Sequence, residues 1–100
     1  MANKTIVYWR DIPAQVIVKA GRKSAKRQLS DRFQEAIDVA AMRSKAHDSG
    51  TYLEEWRRGD PVACSDDLEA EADTAARELE SRFNDKLLDS IAKNGGHALA

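Results

Sequence analysis

With only one cysteine, Cys64, in 100 residues, the chain has no intramolecular disulfide to rely on, and a lone thiol favours a reducing, cytoplasmic setting. Five glycines and two prolines are too few for a collagen-like or low-complexity chain. No apolar run approaches the roughly 18 residues that a membrane span requires. The polar start Ala2-Asn3-Lys4 leads straight into a strand-like stretch, so no secretory signal is expected. Two histidines and one cysteine make no tetrahedral ligand set at a recognised spacing, so no metal and no cofactor are expected.

Catalytic constellations are missing too. Cys64 stands just before a helical pattern, where a helix dipole lowers a thiol pKa. Asp66 and Asp67 follow at once, and their charge opposes a thiolate. The acidic run Asp66, Asp67, Glu69, Glu71 and Asp73 lacks the glycine and alternating oxygen ligands of a calcium loop; acids at a helix start are explained by its dipole. Gly21-Arg22-Lys23-Ser24 has a glycine, two bases and a hydroxyl without the spacing of a phosphate loop. The chain reads as a non-enzyme.

What is present is a domain-sized chain, 42% hydrophobic and 33% charged, long enough to bury about 65% of its unfolded surface without staples. Thr5 to Arg10 is rich in β-branched and aromatic residues and reads as a strand. Asp11-Ile12-Pro13 breaks it, and Ala14 to Ala20 reads as a second strand, with Val16, Val18 and Ala20 on one face. Gly21 opens a basic connector through Arg27. Ser30 is the expected N-cap of a helix to about Lys45, with Phe33, Ile37 and Ala40/Ala41 as its stripe. His47 to Gly50 reads as a loop. Thr51 to Arg58 is preferred as a strand; the helical alternative pairs Tyr52 with Trp56 at i,i+4. Val62-Ala63-Cys64 returns as a further strand.

Asp66 and Glu69 have capping-box spacing ahead of a helix whose stripe is Leu68, Ala72, Ala75, Leu79 and Phe83. Continuing that helix would swing Leu88 out of the stripe, so a break is expected near Asn84-Asp85. Asn94-Gly95-Gly96 supplies the stop, and His97 to Ala100 a frayed tail. Trp9-Arg10-Asp11-Ile12-Pro13 and Trp56-Arg57-Arg58-Gly59-Asp60-Pro61 echo one another. The expected fold is α+β in a single domain: two ββα units (1–46 and 51–96) sharing an antiparallel sheet, with helices on one face.

The formal net charge of −1 hides an asymmetry. Residues 1–50 carry ten Lys/Arg against five Asp/Glu, and residues 51–100 carry six against twelve. The basic half is therefore +5 and the acidic half −6, so each suits the other within one chain or between two copies. Arg22, Lys23, Lys26 and Arg27 concentrate the positive charge and could meet an acidic protein, this chain's own acidic helix, or a phosphate backbone. The slight overall acidity weakens the nucleic-acid reading. Neighbouring strand residues point to opposite faces, so a Trp and the Arg after it are expected apart. With Trp9 inward, Tyr8 and Arg10 would face out and, with Trp56, form an exposed interaction face; Arg57 is a further candidate contact, and the alternative is that both tryptophans fill the core. Trp9 or Trp56 could instead stack on a ligand ring, with Arg10, Arg22 and Lys23 holding an anion such as a polyglutamylated folate.

The stretches Ile6 to Val16, Gly21-Arg22-Lys23, Arg32 to Asp38 and Tyr52 to Pro61 resemble the small bacterial virulence factor domain family, which includes the N-terminal region of the longer conserved virulence factor C. The two tryptophan motifs are the most specific part of that likeness. The resemblance implies a bacterial cytoplasmic protein with no family catalytic residues to carry over. It also implies an accessory role beside the folate- and corrinoid-dependent methyl-transfer enzymes near which standalone members are encoded. An adaptor for such an enzyme is the leading expectation.

Overall fold

The computed structural model describes residues 2–45 and 49–97. Its elements run β1 (Ala2–Trp9), β2 (Ile12–Ala20), β3 (Lys23–Gln28), α1 (Asp31–Arg43), α2 (Ser49–Glu54), β4 (Trp56–Arg58), β5 (Val62–Cys64), α3 (Leu68–Arg82) and α4 (Asp85–Lys93). The fold is α+β, an antiparallel sheet with helices packed on one face. Strand order is β3-β2-β1-β4, and β5 pairs with the other end of β1. The strand that is apolar on both faces over Ile6–Trp9, β1, is thus the central one. Among the described residues no helix is long and apolar enough to cross a membrane.

Several expectations change. The basic connector is itself a strand: Gly21-Arg22 closes a two-residue hairpin, and β3 pairs with β2 from Ala20↔Lys23 to Gln15↔Gln28. Gly21 holds φ 62° at the first central position of that turn, the conformation a glycine-first hairpin requires. The first unit is therefore βββα. The stretch from Thr51 to Arg58 is partly helix and partly strand, with Tyr52 in α2 and Trp56 opening β4. The cap of α3 is Asp67, one residue beyond the expected Asp66, and its carboxylate accepts from the Ala70 N–H. Of the expected loop at 47–50, positions 47 and 48 lie outside the described residues, as do 98–100 of the expected tail, while Ser49 and Gly50 already belong to α2.

The break at Asn84-Asp85 occurs where expected: Asn84 caps α4 by accepting from Leu87 N–H at 2.9 Å, and Leu88, Ile91 and Ala92 are buried. Together they join Ala72, Ala75 and Leu79 of α3 and Phe33 and Ile37 of α1 over Val16 and Val18 of the sheet. Ser30 flanks α1 with extended backbone but makes no side-chain cap. Its Oγ donates to Glu80 of α3 instead, at 2.8 Å.

A one-residue slip interrupts the register of β1 and β2 beside Trp9. Ile6 pairs with Val16 and faces the core, but the register shifts between Val7 and Tyr8. Beyond the slip Trp9 pairs with Ile12, and both are fully buried. The residue left unpaired by the slip is Ala14 of β2, a one-residue bulge that bends the strand beside the buried pair.

Candidate functional site

Two places hold the residues singled out from the sequence. The first is a corner where three distant segments meet. Arg10 takes φ 54°, a left-handed turn that ends β1 and folds its side chain back over its neighbour. Its guanidinium lies 4.9 Å from the Trp9 ring centroid, so Trp and Arg lie together after all, because the chain leaves strand geometry at this residue. Arg10 Nη1 donates to the Gly95 carbonyl at 2.7 Å and Nη2 to Glu55 at 3.2 Å. Only 11% of the side chain is exposed; Arg10 offers no outward face.

The tryptophans are equally committed. Trp9 Nε1 donates to the Tyr52 carbonyl at 2.9 Å, and the Tyr52 ring stacks obliquely on Trp9 and meets Trp56 edge-on. Trp9 and Trp56 stand opposite each other in register, so the two echoing motifs are cross-strand partners. Gly96, at φ 91°, brings its Cα so close that a Cβ would sit 3.0 Å from the indole. A ligand ring would have to displace this packing. Arg57 crosses the strand end, its Nε donating to the Arg10 carbonyl at 2.9 Å and its Nη2 to Asp11 at 3.1 Å, and its guanidinium covers the Tyr8 ring at 4.6 Å.

The second place is the sheet face away from the helices, together with the β2–β3 hairpin. The strands carry Lys4, Lys19, Lys23, Lys26, Arg27, Arg57 and Arg58 and no Asp or Glu. The four helices carry eleven Asp/Glu against six Lys/Arg. The charge asymmetry between halves is therefore a segregation between layers. The pairings Thr5↔Ile17↔Lys26 and Asn3↔Lys19↔Ser24 run across the open face. Ile17 is buried yet lies outside the core cluster, shielded within its own row.

Of the predicted cationic residues, Arg27 turns to the helical side, pairing with Glu69 and, at 2.6 Å, with Asp73. Those carboxylates raise its already high pKa. This fulfils one of the pairings open to the basic run, its own acidic helix. Arg22, Lys23 and Lys26 are exposed and form no ion pair among the described residues, and neither does Lys19 of β2, which was not among the residues singled out from the sequence. Its signal was available: the alternation placed it opposite Val16 and Val18.

A groove of about 210 Å³ between α1 and α4, floored by Ala36, Val39, Leu88 and Ala92 and rimmed by Arg32, Glu35, Asp85 and Asp89, was not anticipated. Arg32 there is already engaged with Glu80 and Asp85. Burial first, and then Glu71, push the Cys64 thiol above its ordinary value, which leaves a poor nucleophile. Among the described residues no group of three or more His, Cys, Asp or Glu is placed to hold a metal ion.

No curated protein and no solved structure matches the chain. The Virulence factor family matches it over residues 7–92, a span that includes both tryptophan motifs and the basic hairpin. The chain belongs to that family.

Proposed function

We propose that this member of the Virulence factor family is a cytoplasmic, non-enzymatic adaptor that docks the acidic surface of a larger protein through the open face of its sheet. The observation that carries the reading is the acid-free sheet layer, in which Lys19 and Lys26, with Arg22 and Lys23 at the hairpin turn, form no ion pair among the described residues. Unpaired cations on one face steer and select an acidic partner. A methyl-transfer enzyme is the candidate partner that the family resemblance supplies.

A small anionic ligand stacked on tryptophan is less well supported, because Trp9 is fully buried and Trp56 packs on Tyr52. Nucleic acid would use the same cations, but the acidic helical layer opposes it. In a pull-down from native lysate, the combined Lys19→Glu and Lys26→Glu variant is expected to lose the partners that the wild type retains. An unchanged partner profile removes this face from the function. Tryptophan fluorescence is expected to stay flat across a folate titration, and a saturating change would favour the small-ligand reading.

A further inference from the structure

We infer that the partner binds as an extended acidic segment added to the free edge of β3, forming a sixth strand of the sheet. This rests on the docking reading and specifies how the contact is made. The sheet has two unlike edges. On one side of β1 the edge is broken into β4 and β5, three residues each, separated by Gly59-Asp60-Pro61. Short strands and a proline are common ways of closing an edge. On the other side β3 is six residues long, without proline, and in unbroken register with β2.

The hydrogen-bond parity of β3 follows from its two ends. The hairpin closes on the pair Ala20↔Lys23, and Leu29 N–H donates to the Ala14 carbonyl at 3.0 Å. Lys23, Ala25, Arg27 and Leu29 therefore bond inward to β2, and Ser24, Lys26 and Gln28 turn their N–H and C=O groups outward. All three are exposed. The one outward group with a partner among the described residues is the Lys26 carbonyl, which accepts from Arg27 Nη1 at 2.8 Å and retains a second lone pair. The strand is held ready: Arg27 ties it to Glu69 and Asp73 of α3, and Ala25 is buried beneath that helix.

Charge selects the occupant. Lysines on an edge deter pairing with a second copy of the same edge, because like charges would meet. An acidic strand reverses that term. Its side chains must alternate between two surroundings, Lys26 on the open face and the Glu69 and Asp73 carboxylates on the helical face. The segment that fits is therefore acidic at every second position and neutral between.

The test uses an acetylated, amidated peptide of about seven residues alternating Glu with Val and Thr. Its binding is expected to slow amide exchange at Ser24, Lys26 and Gln28. Ser24→Pro removes an outward N–H without touching the β2 ladder, and it is expected to weaken binding about tenfold with unchanged thermal melting. Gln28→Pro serves if Ser24→Pro fails to fold. A peptide of the same composition with its acids in one block is expected to bind several-fold more weakly. Binding that survives both proline variants, with the three amides exchanging as in the free protein, overturns strand addition and leaves docking on the open face standing. No binding at all overturns the inference too, and the charge-reversal pull-down then judges docking separately. Self-association abolished by Ser24→Pro would overturn the acidic partner in favour of a second copy.

Discussion

The tryptophan corner and the basic hairpin are built from similar residues, cations beside a strand end, and they do opposite things. In the corner every cation is engaged: Arg10 meets Glu55, the Gly95 carbonyl and the Trp9 ring, and Arg57 meets Asp11 and the Arg10 carbonyl. In the hairpin Arg27 alone finds carboxylates among the described residues, and Arg22, Lys23 and Lys26 are exposed. Residue type did not separate these regions; the number of partners within reach did. The corner is where stability is invested, and the hairpin is where charge is left available for something else.

The sharpest break of that comparison is Trp9→Ala, which removes a fully buried indole and its hydrogen bond to Tyr52. It is expected to cost about 3–5 kcal/mol in urea denaturation. Gly96→Ala should follow at about 2 kcal/mol or more, since the new methyl would sit 3.0 Å from the indole at φ 91°. Arg10→Lys keeps the charge but loses the planar fork that spans Gly95 and Glu55, a loss of about 1–2 kcal/mol by the same measurement.

A smaller effect probes the clamp between α3 and the start of α1. Burial works to raise the Glu80 carboxyl, but hydrogen bonds from the Ser30 N–H and hydroxyl and from Arg32 outweigh it, and its pKa lies below the ordinary 4.5. A carboxylate lowered by folding stabilises fully above its unfolded value and loses that contribution as pH falls through the folded one. The stability gap between wild type and Glu80→Gln should therefore be constant near neutrality and close as pH falls below 4.5, followed by urea melts at several pH values. Smallest of all, Lys19→Gln with Lys26→Gln should change stability by no more than about 0.5 kcal/mol. A larger loss would mean that the hairpin cations serve the fold, and the contrast with the corner would disappear.

Much of the architecture was legible. Helical periodicity located α1, α3 and the break before α4, because Leu88 could be buried only if the chain restarted. The third strand was hidden by its composition: Lys23-Ser24-Ala25-Lys26-Arg27 has little β propensity and is held by pairing with β2. Tyr52 and Trp56 suit a strand or a helix equally, and the boundary between α2 and β4 was set by what each ring packs against. The facing of Arg10 was missed because alternation holds only while the backbone stays extended, and a left-handed arginine ends it. For the candidate surface, the basic run was visible, but sequence order suggested two charged halves where space shows two charged layers.

The sequence by itself determined the class of fold, since hydrophobic period and turn residues are local properties. It also determined that bases would be concentrated early in the chain and acids late. Only the tertiary structure decided that β1 would seat between β2 and the β4/β5 pair, that Trp9 would be buried against Tyr52 and Gly96, and which cations would find no ion-pair partner among the described residues. Those outcomes depend on contacts between residues 43 to 85 positions apart, and a pairing across such distances is fixed by register and packing that no local pattern encodes.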